Sequence, residues 1–335
     1  MREIREITPA PGGGTGHPSG GCIEQSGPTA VGRFAPTPSG RMHLGNLFSA
    51  LLAWLDARHE GGKLILRIED LDTQRTSPDY ARQLMDDLCW LGLDWDEGGL
   101  TPEYMQSCRT ALYEDAFHVL ERQGLVYPCY CSRTQRMAAS APHREDGAVV
   151  YDGKCYHLSR SERQALEAAG RRPAWRLHCP DLDVTVEDGN CGTYIENLAR
   201  DCGDFIIRRS DGVFAYQLAV VVDDARMGVN RVVRGRDLLC SAPRQAWLHG
   251  LLGCPPPQFF HVPLLLAPDG RRLAKRDRDL DMGALRARFT PEELVGLLAF
   301  WAGLQPCPEN VTAAELVPDF SWSKVPKTDV VVNFA

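Results

Sequence analysis

Val31-Gly32-Arg33-Phe34-Ala35-Pro36-Thr37-Pro38-Ser39-Gly40-Arg41-Met42-His43-Leu44-Gly45-Asn46 passes from a short apolar strand, through a loop shaped by Pro36, Pro38 and Gly40, into a helix. The helix is read over Leu44–His59, because Leu44, Leu47, Phe48, Leu51, Leu52 and Leu55 fall along one broad face. Gly61-Gly62 ends it, and Lys63–Ile68 is the next apolar strand. Strand, loop, helix and strand in so short a span form a βαβ unit, whose strands must run parallel. His43, Gly45 and Asn46 stand at the helix start, where unpaired backbone N–H groups and the helix dipole attract anions. Gly45 lets a ligand approach the backbone closely. The competing reading is an ordinary strand–helix turn with a polar cap, since neither GxGxxG nor a Walker lysine motif is present.

Outward from this unit the α/β pattern continues. Ser77-Pro78 opens a helix running to about Leu91, with a capping serine and a proline at the first helical position. A second helix is expected from Glu103 to Gln123. The Cys-rich stretch 129–155 breaks the pattern and reads as an insertion. Trp175–His178 and Val184–Glu187 are strand-like, and Phe205–Arg208 and Phe214–Val222 flank the hairpin turn signal Ser210-Asp211-Gly212. Ala242–Leu252 is a helix, His261–Leu266 a buried strand, and Met282–Arg288 and Pro291–Leu304 are helices that close the ordered part. The sequence past Gln305 is Pro-rich and weakly patterned. Residues 1–30, with seven glycines and four prolines, read as a flexible tail. The expected organisation is a tail over 1–30, a first catalytic half over 31–128, an insertion over 129–200, a second half over 201–280 and a short helical part over 281–335.

The 335 residues carry 37 Lys+Arg against 44 Asp+Glu, a net charge of −7, with 44% hydrophobic and 24% charged residues. That balance excludes wholesale disorder and argues against a protein that coats nucleic acid, while leaving room for a local basic patch. The most apolar window, Leu294–Leu304, is far short of the roughly 20 residues of a membrane span. The N-terminal residues lack the apolar core of a secretory signal. Twelve cysteines without an export signal point to reduced thiols or a metal, and to the cytoplasm.

Cys129-Tyr130-Cys131 is tight enough for two thiolates to reach one metal, and Cys155 would be a third ligand. Structural zinc takes four ligands in tetrahedral closure. Tyr151, His157 and His143 are all near in sequence, and donor chemistry alone favours a histidine. The alternative is three buried thiols packed as small hydrophobes.

Five blocks in order carry a resemblance. Arg33–Asn46 resembles the HIGH signature of class I aminoacyl-tRNA synthetases in its glutamyl form, with Asn46 in place of the last histidine. Arg67-Ile68-Glu69-Asp70-Leu71-Asp72, Tyr216–Asp224 and Val233–Leu238 resemble further glutamyl-type blocks. Arg272-Leu273-Ala274-Lys275-Arg276 stands where the KMSKS loop belongs, with one lysine and with Ala274 where a serine is common. The resemblance implies a Rossmann-type parallel-sheet catalytic domain with a zinc-binding insertion and a short helical C-terminal part. It also implies ATP with Mg2+ and L-glutamate as ligands. By resemblance Arg33 and Arg234 meet the carboxylates of glutamate, Glu69 its ammonium, and Tyr216 and Thr37 supply further polar contacts. Pro36, His43, Gly45, Asn46 and Lys275 would hold ATP, with His43 and Lys275 catalytic. A loop lysine suits the charge that grows on departing pyrophosphate.

Only 57 residues follow Arg278, too few for the anticodon-binding domain of a glutamyl-tRNA synthetase. The chain therefore resembles the truncated glutamyl-queuosine tRNA(Asp) synthetase family. That family attaches glutamate to queuosine at the wobble position of tRNA(Asp) after activating it without tRNA. Its zinc pattern, Cys-x-Cys with Tyr-x-x-x-Cys, implies Tyr151 as fourth ligand beside Cys129, Cys131 and Cys155. The expected partners are ATP, L-glutamate and the anticodon arm of a queuosine-bearing tRNA(Asp). The basic runs Arg231–Arg236 and Arg271–Arg278 would lie along its phosphates. A monomer is expected, with no membrane. The rival readings are an enzyme charging a tRNA 3′ end, a related nucleotidyltransferase with a small-molecule substrate, and a non-catalytic zinc RNA-binding module.

Overall fold

The computed structural model describes residues 29–132, 150–273 and 280–333. In chain order the strands are β1 Val31–Phe34, β2 Lys63–Leu66, β3 Glu97–Gly98, β4 Val126–Cys129, β5 Ala174–Leu177, β6 Asp183–Asp188, β7 Gly192–Asn197, β8 Phe205–Arg208, β9 Arg231–Gly235, β10 Gln258–Val262, β11 Leu265–Leu266 and β12 Val330–Val331. Five of them form one parallel sheet in the order β10-β9-β1-β2-β3. The chain winds outward from β1 to β2 on one side and from β9 to β10 on the other. The switch between β1 and β9 opens a crevice at the carboxyl ends of the strands, the usual ligand position in such sheets.

The first helix, Leu44–His59, follows β1 as the pattern requires and buries eleven of its sixteen residues. It packs on β1, β2 and β9 and, from the other side, on the helix Pro291–Trp301. This is why its apolar face is so broad.

Strands β4 to β8 stand apart from that sheet, as an antiparallel sheet β4-β5-β8 and the hairpin β6-β7. Among the described residues, no helix is long and apolar enough to cross a membrane.

Four expectations are corrected. Phe214–Val222 is not a hairpin strand: only Phe214 bridges back to Arg208, and Tyr216–Arg226 is a helix. Its residues 218–224 are all buried. A helix buried on every side shows no polar period, so its short apolar run cannot be told from a strand.

The helix expected from Glu103 begins only at Thr110, after single turns at Pro102–Tyr104 and Gln106–Cys108. The backbone there is engaged by Ile68, which donates to Tyr104 O (2.9 Å) and accepts from the Gln106 N–H (3.0 Å). The strand expected over His261–Leu266 is divided at Pro263, and its second part pairs with β12.

The sequence past Gln305 is not a loose tail. Phe320, Val325 and Val332 are buried in the main core, and Trp322 stacks on Phe260 at 4.7 Å and donates to Asp56.

Candidate active site

The crevice is a cleft of about 1060 Å3, lined among others by Arg33, Pro36, Thr37, His43, Gly45, Asn46, Glu69, Tyr216 and Arg234. The fold thus gathers every described residue assigned to glutamate or ATP, from Arg33 to Arg234, into one cleft. Lys275 and its neighbours Arg276 and Arg278 lie outside the described residues.

The loop after β1 is tied to the segment after β2. Glu69 N–H donates to Pro36 O at 3.0 Å and Ser77 N–H to Pro38 O at 3.0 Å. His43 precedes the first helix, and its backbone N–H is capped by Asn46 Oδ1 at 3.2 Å. Asn46 therefore has a structural task as well. So has Gly45: a Cβ there would come within 3.3 Å of His43 Cε1, so a side chain would press on the imidazole.

Buried charge dominates the floor. Arg67, fully buried, sits 2.6 Å from Asp224 Oδ1, 3.1 Å from Glu69 Oε1 and 3.8 Å from Asp223 Oδ2. Burial works against its charge, but Asp224 first and then Glu69 and Asp223 outweigh that and raise its pKa. Asp224 also faces Arg33 at 3.6 Å. Although burial pushes the Asp224 carboxyl up, Arg67 and Arg33 together hold it below its ordinary value.

Glu69 fares differently. Burial raises its pKa, and the pull of Arg67 and Arg33 does not cancel the rise. Asp224 has taken the stronger share of both arginines. Glu69 is thus a largely buried carboxylate lacking full compensation, and a ligand cation would supply it.

Arg33 is buried and donates through Nη1 to Val233 O at 3.0 Å; burial lowers its pKa. Tyr216 stands at the first turn of its helix, and burial raises its phenol. Arg234 donates through Nε to His261 Nε2 (3.0 Å), Nη1 to Gln245 Oε1 (2.6 Å) and Nη2 to Leu238 O (3.3 Å). That leaves one N–H on each terminal nitrogen for a ligand. Two arginines and an under-compensated carboxylate around one cleft suit a molecule with two carboxylates and an ammonium.

The chain matches the family profile of class I tRNA synthetases (E and Q), catalytic domain, over residues 29–299. A glutamyl-Q tRNA(Asp) synthetase of Symbiobacterium thermophilum is 51% identical over 306 residues, covering 89% of this chain and 94% of that one. Another from Nitratidesulfovibrio vulgaris is 50% identical over 281 residues, covering 82% and 87%. The chain belongs to the glutamyl-Q tRNA(Asp) synthetase family. Among solved structures, the glutamate-tRNA synthetase of Elizabethkingia anophelis superposes with a TM-score of 0.79 at 27% identity, covering 91% of this chain and 68% of that one. The family makes this synthetase a ligase with glutamate-tRNA-synthetase-type activity, using ATP with Mg2+.

The synthetase also carries the thiol cluster. The Sγ atoms of Cys129, Cys131 and Cys155 lie within 4.8 Å of one another, all buried. Tyr151 Oη is 3.7 Å from Cys129 Sγ and 3.6 Å from Cys131 Sγ, and accepts from the Cys155 N–H at 3.0 Å. His157 packs its ring on Tyr156 instead, and His143 lies outside the described residues. Arg176, fully buried, reaches Cys129 Sγ with Nε at 3.3 Å and lays its guanidinium 3.7 Å from the Tyr151 ring centre. Burial raises the Cys129 thiol, but Arg176 outweighs it and the net shift is downward. Three converging sulfurs, a phenol oxygen and a cation against the thiolate charge fit a structural zinc.

The basic run Arg231–Arg236 is not a continuous patch. Arg231 is neutralised by Asp56 and Glu60 at the start of β9, Arg234 points into the site, and Arg236 donates to Lys327 O. Likewise Arg271 pairs with Asp269 and Arg272 with Asp237. Sequence reading placed Arg67 in a glutamyl-type block, and Gln245 in the segment Pro243-Arg244-Gln245 that follows another, without giving either its role in the floor, and it missed His261 beside Arg234. The signal for His261 is polarity at a position that an apolar strand would bury.

Proposed function

We propose that the synthetase activates L-glutamate with ATP and transfers it to the queuosine base at the wobble position of a tRNA(Asp), and that activation needs no tRNA. The observation that carries the amino-acid assignment is the charge set of the cleft: Arg33 and Arg234 for two carboxylates, Glu69 for the ammonium, Tyr216 and Thr37 at the margin. The acceptor assignment is supported by the relatives' names at 50–51% identity over most of both chains.

In the first step a glutamate carboxylate oxygen attacks the α-phosphorus of ATP and pyrophosphate leaves. Little acid–base chemistry is needed; positioning and charge stabilisation suffice. His43 and the helix N-terminus behind it hold the phosphates, and Lys275 steadies the departing pyrophosphate. In the second step a queuosine hydroxyl attacks the acyl carbon, AMP leaves, and the adenylate phosphate is placed to take the proton. Cys129, Cys131, Tyr151 and Cys155 would hold one zinc, whose contribution is to fix the insertion, since no open coordination position is needed for this reaction. The cytoplasm is the expected compartment.

The test uses labelled glutamate with two tRNA(Asp) samples, carrying queuosine or guanosine at the wobble position. Label should enter the first alone, and digestion should recover it with the anticodon nucleotide. Label on the terminal adenosine, or on the guanosine sample, would mean charging of the 3′ end. Pyrophosphate exchange that requires tRNA would refute tRNA-free activation.

A further inference from the structure

Arg234 is held differently from Arg33 and Arg67. Arg33 and Arg67 are both paired with Asp224. Among the described residues Arg234 has no carboxylate at ion-pair distance; its Nε donates to a histidine nitrogen, His261 Nε2, at 3.0 Å. An arginine nitrogen only donates, so Nε2 must be unprotonated. On the opposite edge of the same ring, His261 Nδ1 lies 2.6 Å from Asp188 Oδ2, and a carboxylate only accepts. The proton is therefore on Nδ1, and the imidazole is neutral. A protonated ring would set N–H against N–H at Arg234.

We propose that Asp188 and His261 are positioning residues that orient Arg234 toward a glutamate carboxylate without neutralising it. The proposal rests on the reading of Arg234 as a glutamate partner. A carboxylate placed directly on Arg234 would compete with the substrate for its charge. A neutral imidazole between them fixes the guanidinium and leaves its charge available. Gln245 completes the clamp from the far side, accepting from Nη1 at 2.6 Å and donating to Gln217 Oε1 at 2.8 Å.

The relay is buried and anchored. Asp188 and His261 side chains are both 0% exposed. Asp188 ends β6, and its Oδ1 accepts from the backbone N–H groups of Asn190, Cys191 and His261 at 3.0, 2.7 and 3.2 Å. The hairpin tip sits on β10 because Gly189 has no side chain: a Cβ there would lie 2.0 Å from Phe260 Cε1. A hairpin of the insertion thus delivers a carboxylate to the catalytic sheet. In agreement with a neutral ring, burial first, with Arg234 adding to it, lowers the His261 pKa to about 4, despite Asp188 and Asp237 nearby.

Two amides separate this role from simple packing. His261→Gln sets an amide oxygen near the former Nε2 and can still accept from Arg234. His261→Asn sets its amide near Nδ1 and leaves Arg234 Nε without an acceptor. In Asp188→Asn, the oxygen stays with the three backbone donors, so the amide N–H faces Nδ1 and drives the proton to Nε2. Glutamate-dependent pyrophosphate exchange should show a KM for glutamate raised roughly ten- to hundredfold in His261→Asn and Asp188→Asn. The KM for ATP should be unchanged, and His261→Gln should stay near wild type. Equal impairment of Gln and Asn, or an unchanged glutamate KM in His261→Asn, would overturn the proposal.

Nitrogen-15 NMR of the wild-type protein, with the His261 ring assigned by through-bond correlation to its own backbone, reads the tautomer without any turnover. A pyrrole-type Nδ1 with a pyridine-type Nε2 is expected, and the reverse would overturn the relay even if every variant failed to fold. A wild type that exchanges pyrophosphate without regard to glutamate would instead overturn the functional reading, and the role of Arg234 with it.

Discussion

Glu69→Gln changes one charge and almost no shape, and it tests the floor of the cleft directly. The side chain is 10% exposed and is held by Arg67 Nη2 at 3.1 Å. A glutamine oxygen can accept the same bond, and Arg67 keeps Asp224 at 2.6 Å. Folding disfavours the ionised form of Glu69, because burial raises its pKa more than Arg67 and Arg33 lower it. For a carboxyl whose folded pKa lies above its unfolded one, that destabilisation is present at neutral pH and vanishes as pH falls below the unfolded value. The variant should therefore melt at the wild-type temperature or slightly above it at pH 7. Binding should suffer instead. A hydrogen bond to a charged group contributes about 1.5–3 kcal/mol, so the KM for glutamate should rise roughly ten- to hundredfold. The pH dependence carries a second signature. Wild-type affinity should fall as pH drops through the raised pKa of unliganded Glu69, by up to about tenfold per unit, because one proton must leave before the ammonium binds. The variant should show no such slope. Glutamate-dependent pyrophosphate exchange at saturating ATP, run between about pH 5 and 8 beside thermal melts, measures all three. A glutamate KM within twofold of wild type, or the same pH slope in both proteins, would refute the assignment of Glu69 to the ammonium.

Purified synthetase should contain about one zinc per chain; Cys131→Ser should lose it and melt lower, and a wild type free of metal yet folded and active would sink the idea. Lys275→Ala should slow pyrophosphate exchange by about 100- to 1,000-fold with little change in melting, and near-normal exchange would move that task to Arg276 or Arg278. Arg33→Leu should weaken glutamate by about 2–5 kcal/mol, read as a raised KM, while the fold survives because Asp224 retains Arg67; an unchanged KM would dissolve the carboxylate assignment.

Local patterns carried the fold a long way. The strand–loop–helix–strand unit over residues 31–68 needs only a few neighbouring residues to be read, and the structure places β1, the helix and β2 at the expected positions, β2 ending two residues early. The helix at Pro78 was legible from its serine cap, whose Oγ accepts from the Asp79 N–H. The Cys-x-Cys pair was legible because two thiols at that spacing are chemically conspicuous. Tyr151 was legible only through the family pattern Tyr-x-x-x-Cys, since donor chemistry alone favours a histidine and does not say which nearby side chain faces the sulfurs. The Tyr216–Arg226 helix failed as a strand because its solvent-free surroundings erase the polar face that would mark it.

Read alone, the chain determined which residue types could act and on which loops they sit: an anion-attracting helix start after β1, carboxylates after β2, arginines in β1 and β9, thiols in an insertion. Those features are local, fixed by a few adjacent side chains and the backbone between them. Tertiary structure alone decided how charge is shared. It gave Asp224 the larger part of Arg67 and Arg33 and left Glu69 under-compensated. It set Arg231 against Asp56 and, among the described residues, left Arg234 without a carboxylate at ion-pair distance by placing His261 between it and Asp188. Electrostatic coupling falls with distance in space, not along the chain. Residues 33, 67, 188, 234 and 261 become neighbours only when the sheet and its insertion have closed around them.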